Sequence, residues 1–510
     1  MMLFSSNSYF CRIFYWIIYL IIASLLVSHA VAADWEVKPR LNLRETYTDN
    51  LRLGLGGGGG GGGGDFITQI NPGILLTGEG RRFNTNINYM MNNLIYAEHG
   101  EFSRIRHQLN ANATAELIED RFFVDGFARM TQQNAFLFGP QSVDNANPVN
   151  RRNVNSYSVS PYFKHRFKDF ASAELRYVHG EVNTSGQGSF SSSSDSGIAR
   201  LASGADFRVL KWGLNYNHTE IRRDQLRTID LERSIALLRY VVTPQFDLIA
   251  TGGYERNSFV SVRGKSSGPT WTVGFAWAPT ERTEINLSGG QRFFGDTYLA
   301  TVNHRTRLTT WNLSYNQDIT TFGQQSLFGS AITTASALDQ LLSSTQNSEA
   351  LLNQGVPFTF SDPNNFLTNR LFLQRRLQAF LAIKGSKNTL LLRGFNLQRR
   401  AYTAALEDVS LIGLGNALLT RDTDQTGGNI SWNHRLTPQT SANINYSFTR
   451  IDFLVSDRID DNQLIMFSLN KRITPNMNGM ISYFHNWRNS NQSNSDFNSN
   501  NVTASLNMNF

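Results

Sequence analysis

Asn501-Val502-Thr503-Ala504-Ser505-Leu506-Asn507-Met508-Asn509-Phe510 ends the chain and decides its fold. Val502, Ala504, Leu506, Met508 and Phe510 fall on one side, and Thr503, Ser505, Asn507 and Asn509 on the other. This period of two is that of an extended strand with one apolar and one polar face. A final strand of this kind, ending on an aromatic residue, is what a transmembrane β-barrel needs to close on its first strand. The remaining chain must then supply alternating segments of roughly ten residues separated by turns. It does so almost throughout.

Phe83, Thr85, Ile87, Tyr89 and Met91 oppose Asn84, Asn86 and Asn88. Leu109, Ala111, Ala113, Ala115 and Leu117 oppose Gln108, Asn110, Asn112, Thr114 and Glu116. Trp271, Val273, Phe275 and Trp277 form another apolar row, with Trp at both ends as an interfacial girdle requires. Short turns, such as Gly78-Glu79-Gly80 and Thr243-Pro244, alternate with long polar loops, such as Asn134 to Arg152. That two-sided asymmetry marks an outer-membrane barrel, with short turns in the periplasm and long loops outside. A soluble sandwich or propeller lacks it. The expected fold is all-β, a transmembrane antiparallel β-barrel of the bacterial outer membrane with roughly 20 to 22 strands. Ile229 to Val241 and Leu464 to Arg472 do not hold one phase, which predicts bulges there.

Bulk properties agree. Met1 to Ala33 reads as an export signal, with Arg12 ahead of an apolar run from Ile13 to Val27 and small residues at Ala30, Ala32 and Ala33. The barrel then occupies 34–510. The only cysteine, Cys11, lies in the signal, so neither disulfides nor thiolate metal sites are expected. A formal charge of +7 reads as a solvated surface or an anionic partner such as lipopolysaccharide. The mean hydropathy of −0.31 suits membrane insertion only if apolar residues are sorted to one face of strands.

Two segments interrupt the strand rhythm. Gly56 to Gly64 is a nine-glycine tract, read as an expanded outer loop. Residues 317–368 have helical apolar spacing at Leu338, Leu341, Leu342, Leu351 and Leu352, with Ser336 and Asp339 as an N-terminal capping box. Counting strand directions then demands one hidden strand between Leu352 and Phe360. That places the partly helical insertion at the periplasmic rim or in the pore as a plug. Ser336 to Asn353 is its expected gate or docking element. Nothing ahead of the first strand is long enough for a separate plug domain, which argues against a TonB-dependent receptor.

Several stretches carry a family resemblance: Glu45-Thr46-Tyr47-Thr48-Asp49-Asn50, Asn71-Pro72-Gly73, Pro279-Thr280-Glu281-Arg282-Thr283, Arg292-Phe293-Phe294-Gly295 with Tyr298, Phe372-Leu373-Gln374-Arg375-Arg376, and Asn388-Thr389-Leu390. Together they resemble an uncharacterised outer-membrane β-barrel family that accompanies exosortase and exopolysaccharide gene clusters, the PEP-CTERM system. The resemblance implies an outer-membrane address and a neighbourhood of exopolysaccharide export or assembly. It implies no functional residues. The ending at Phe510 also resembles the membrane insertion signal read by the barrel-assembly machinery.

No GxSxG elbow, HExxH or paired-cysteine motif is present, so no catalytic, metal or cofactor residue is nominated and an enzyme is not expected. His165, His218, His434 and His485 fall on outward rows, where strand-end histidines explain them better than a lipid-hydrolysing site. Glu116, Glu174, Arg176, Asp206, Arg208, Glu284, Arg292, Arg376 and Lys384 are expected to face the lumen, where charge requires water or pairing. Tyr162, Phe294 and Phe372 are the candidate inward aromatics. The sequence therefore points to a porin-like conduit or accessory for exopolysaccharide export, with outer-membrane lipid, lipopolysaccharide and export components as partners and no nucleic acid. The alternatives are a closed structural barrel anchoring surface polymer or proteins and, third, a lipid-modifying barrel enzyme.

Overall fold

Alternation is converted into a closed wall. The computed structural model describes residues 34–53, 63–139, 150–185, 189–328 and 366–510. Its strands are β1 (Asp34–Thr48), β2 (Asp65–Glu79), β3 (Phe83–Tyr96), β4 (Arg104–Ile118), β5 (Phe122–Asn134), β6 (Arg151–Phe167), β7 (Ala171–Thr184), β8 (Ser191–Ser203), β9 (Leu210–Arg223), β10 (Ile229–Thr243) and β11 (Phe246–Asn257). They continue as β12 (Gly268–Thr280), β13 (Thr283–Arg292), β14 (Gly295–Arg305), β15 (Thr309–Thr320), β16 (Phe372–Lys384), β17 (Asn388–Ala401), β18 (Asp422–Thr437), β19 (Thr440–Phe453), β20 (Arg458–Thr474), β21 (Met477–Ser490) and β22 (Phe497–Asn509). Each pairs antiparallel with its sequence neighbours in one 22-stranded sheet, and β22 closes on β1 from Arg40–Asn509 to Thr48–Asn501. Closure leaves no edge strand, the condition for spanning lipid with strands.

The seam shows why these residues close the wall. Val502 lies exposed on the outer face, while Thr503 and Ser505 are buried on the inner one. Inside, Asn42 Nδ2 donates to Asn507 Oδ1 (2.7 Å), Asn71 Nδ2 donates to Asn42 Oδ1 (2.8 Å), and the Thr46 and Thr503 hydroxyls stand 2.9 Å apart. Phe510 follows β22, exposed, its N–H bonded to Pro39 O (2.9 Å).

Partners across a rung share a face, so the seam fixes every other strand. Lumen-facing positions are even-numbered on β1, β3, β4, β6, β7, β8, β12, β13, β15, β16, β20 and β21, and odd-numbered on the remaining strands; the assignment returns to itself after one circuit. Exposed aromatics mark two girdles on the outer face, Trp35, Trp277, Trp311 and Trp432 toward the short turns and Tyr47, Tyr254, Trp271 and Tyr298 toward the long loops. The chain crosses the outer membrane between them. No helix among the described residues is long and apolar enough to cross a membrane.

Three expectations are corrected. Gly295–Arg305 is a full strand joined to β13 by Phe293 and Phe294 alone, and it supplies the missing direction change. No hidden strand is needed before β16, because β15 pairs with β16 directly from Thr320–Phe372 to Thr309–Ile383. The insertion therefore leaves and re-enters at the long-loop end, opposite the periplasmic rim, and Gln317 to Thr320 belong to β15. β10 and β20 hold one register through the stretches where phase looked broken. Their bulges come later, at Val241/Thr243 and Arg472/Thr474. Phase looked broken because Ile235, Leu237, Leu464 and Met466 place apolar side chains on the lumen face. The expected export signal, most of the glycine tract, Ser336 to Asn353 and the expected strand between Leu352 and Phe360 lie outside the described residues.

Candidate functional site: a capped mouth above a charged bore

The two barrel ends are built differently. At the short-turn end successive strands are joined by links of two or three residues at most positions, too short to cross the bore. At the long-loop end, loops turn inward. Helix α1 (Phe322–Phe328) leaves β15 and lands on the lumen side of β6, β7 and β8, seven to nine strands away around the wall. Only a path across the lumen connects those strands. Gly180 on the lumen face of β7 makes the landing possible, since a Cβ there would stand 2.6 Å from Leu327 Cδ1.

Around this landing Phe322, Leu327 and Leu367 pack with Val154, Val182, Phe190 and Ala135. A second layer joins Phe366, Phe372, Ala401, Ile451, Phe453 and Leu137. A third joins Ile221, Ile229, Phe259, Leu371, Leu373 and Tyr402. Burial there pushes the Tyr402 phenol above its ordinary pKa.

Arginines tie these layers to the wall. Between β17 and β18, α2 (Val409–Ile412) and α3 (Leu414–Leu419) follow a short 3₁₀ turn, Ala405–Asp408. Arg370 and Asp408 are both fully buried, with Nε donating to Asp408 Oδ2 at 2.6 Å. Arg370 Nη2 also donates to Ala417 O (2.8 Å) and Thr420 Oγ1 (2.9 Å), while Thr368 Oγ1 and the Asn369 N–H donate to the Asp408 carboxylate. The carboxylate thus gathers strap and loop around one charge. Arg223 of β9 donates to Glu407 (2.7 Å) and to Asn369 O. Arg263, in the β11–β12 loop, bonds Ala401 O (2.8 Å) and Asp422 (2.5 Å). Arg458 and Arg488 hold Phe138 O at 3.2 and 3.1 Å, and Asp460 is 2.8 Å from Arg458. Such pairs fix geometry, because losing one partner strands a buried charge.

Below the cap the wall is polar and ion-paired. Glu174 and Arg176 lie on the lumen face: Arg176 reaches Asp125 (2.8 Å), Ser160 (2.9 Å) and Glu174 (3.2 Å), with its guanidinium 3.7 Å from the Tyr162 ring centroid. Arg292 also faces inward, bidentate to Glu255 (2.6 and 2.8 Å), 3.0 Å from Asp318 and over Phe294. Glu116, Glu284, Arg376 and Lys384 share the lumen face. Glu116 is drawn to its own turn, accepting the Asp120 N–H, and Glu284 accepts from Asn286 (2.9 Å). Asp206 and Arg208 are corrected: both lie in the β8–β9 turn at the rim, where the Asp206 N–H bonds Asp169 O, because β9 starts only at Leu210. Tyr162 and Phe372 are buried, and Phe294 is half-buried beneath the Arg292 guanidinium.

The four histidines face outward. His165 lies beside Phe163 and Phe167, His434 bonds Asn388 (2.7 Å), His485 bonds Asn500 (2.8 Å), and His218 is 4.0 Å from Asp230. No cluster of three His, Cys, Asp or Glu suited to a metal ion occurs among the described residues. Sequence reasoning missed Arg223, Arg458 and Arg488, though each falls on the lumen phase at a strand's long-loop end. Arg370 and Asp408 lie in loops and carry no such signal.

No family model and no curated protein matches the chain. Solved structures share its fold. One is the FrpB iron transporter from Neisseria meningitidis, F5-1 variant, with a TM-score of 0.51 at 11% identity, covering 94% of this chain and 83% of that one. Its F3-3 variant gives 0.50 at 11% identity over 95% and 83%. A ferric enterobactin receptor mutant from Pseudomonas aeruginosa, in complex with enterobactin, gives 0.50 at 7% identity over 94% and 82%. These are transporters and a receptor, and the likeness concerns the barrel. In this chain the barrel's own loops fold into the mouth.

Proposed function

We propose that this outer-membrane β-barrel is a gated conduit for a hydrophilic polymer, with exopolysaccharide the cargo that the family resemblance implies. The carrying observation is a polar bore with loops folded into its outer mouth and held to the wall by ion pairs. Passage is passive, through a wall whose Asn, Ser, Thr and paired charges accept hydrated cargo. Opening requires the cap to leave β6–β9 and β20–β21. Barrels of this strand number are too wide to stand open without leaking periplasmic solutes, so a cap serves a conduit. The neighbours' iron-related cargo is not transferred, since the likeness reaches only the fold.

The test is single-channel recording of the intact protein beside Arg370→Ala, which strands Asp408. Rare or absent steps in the intact protein, with frequent large steps in the variant, support a cap-gated conduit. Silence from both, with the barrel folded, supports the second reading, a closed structural barrel that anchors surface polymer or proteins. The fully buried Arg370–Asp408 pair favours that second reading, because it suits a cap built to stay shut.

A further inference from the structure

The geometry points to an anion-binding vestibule at the periplasmic end, shaped to receive a polymer bearing many carboxylates or phosphates. This inference rests on the conduit reading for its cargo, but on separate residues for its evidence. By the register given above, lumen-facing strand positions hold twenty-five Lys and Arg against twelve Asp and Glu, whereas outward-facing positions hold seven against eleven. The wall therefore sorts charge by sign, basic within and acidic without. A general basic excess of the chain does not do this.

The sorting persists when the residues outside the described ones are counted. Residues 329–365 carry Asp339, Glu349 and Asp362, and residues 140–149 carry Asp144; neither stretch has a Lys or Arg. Four carboxylates do not offset the excess.

Position matters as much as number. Several wall carboxylates already have cationic partners: Asp125 and Glu174 with Arg176, Glu255 and Asp318 with Arg292, Asp247 with Arg239, Asp460 with Arg458. Arg166, Lys211, Arg305, Lys384, Arg435 and Arg472 stand exposed on the lumen face at the short-turn ends of β6, β9, β14, β16, β18 and β20, outnumbering the exposed carboxylates Asp34, Glu36, Glu79 and Glu284 at the same end, of which Glu36 is paired with Lys38. They are spread around the circumference, and the short links leave that end open. Lys164 adds an ammonium 5.3 and 5.0 Å from the Phe123 and Tyr162 ring centroids. Lipid cannot be their counterpart, because they face the bore. Low-dielectric walls with an excess of one sign focus the field into the opening and concentrate the opposite charge there. A single small anion meets only one or two of these groups; a chain of repeated negative charges meets the whole ring.

The test uses the full-length protein in lipid nanodiscs, with fluorescent polygalacturonate as the polyanion and neutral dextran of matched length as control. Polygalacturonate is expected to bind and to weaken by roughly tenfold or more as salt is raised, while dextran does not bind. The combined variant Lys211→Gln, Arg305→Gln, Lys384→Gln and Arg472→Gln, checked as folded by heat-modifiable migration, is expected to lose roughly tenfold or more. Equal binding of both polymers, or unchanged polyanion binding by the folded variant, overturns the vestibule. If the combined variant fails to fold, the four single variants replace it, and unchanged binding by all four overturns the vestibule equally. Channel recording separates the two readings: binding without any channel keeps the vestibule and removes the conduit, whereas a channel without polyanion binding does the reverse.

Discussion

The outer mouth and the inner opening are made from the same strands, yet they solve opposite problems. At the mouth, charge is buried and neutralised: Arg370 sits on Asp408 and Arg223 on Glu407, under apolar layers. At the inner opening, cations such as Lys211, Lys384 and Arg472 stand exposed to the bore. The difference shows how one closed sheet becomes directional. Strand alternation makes the wall uniform, and link length decides which end folds inward.

The largest expected effect comes from erasing the contrast. Arg370→Ala leaves a fully buried carboxylate and should cost about 3–5 kcal/mol, concentrated in the cap. The 402–421 loop should become protease-sensitive while the barrel keeps its folded migration on gels. Arg176→Met strikes the wall below the mouth and should cost about 1.5–3 kcal/mol by stripping Asp125 and Glu174 of their shared partner. The denaturation midpoint in lipid should fall, with no gain in loop proteolysis; a gain there would mean that wall and cap are one unit. Gly180→Val pushes Leu327 off β7 for about 1–3 kcal/mol. It should loosen α1 alone, seen as faster cleavage near Phe328. Thr503→Val removes one hydroxyl pair at the seam and should cost about 0.5–1.5 kcal/mol, read as a small shift in midpoint with both ends unchanged.

How far the sequence foretold this depends on the range of each interaction. The closing strand was legible because period-two sorting is local: Val502 outward and Thr503 inward need no knowledge of the partner strand. β14 was not, because Asp296 falls on the outer face, Leu299 on the inner, and the preceding link is Phe293-Phe294, which carries no turn signal. Missing that strand reversed the end to which the insertion belongs. Arg176 and Arg292 were legible as lumen groups from phase alone, whereas Asp206 and Arg208 failed because phase was extended past a strand's end. The cap was illegible for a different reason. Its ion pairs join residues far apart in sequence, 184 positions for Arg223 and Glu407, and nothing local in either residue names the other.

On the conduit reading the bore is shut outside and open inside. With Cys11 the chain's only cysteine, single cysteines can be read cleanly by a bulky, membrane-impermeant maleimide. Leu406→Cys places one on the cap's exposed surface, and Lys211→Cys places one in the inner vestibule. In intact cells, labelling of Leu406→Cys but not of Lys211→Cys is predicted, with both labelled once the periplasm is opened. Labelling of Lys211→Cys from outside intact cells, as fast as Leu406→Cys, would contradict a closed mouth.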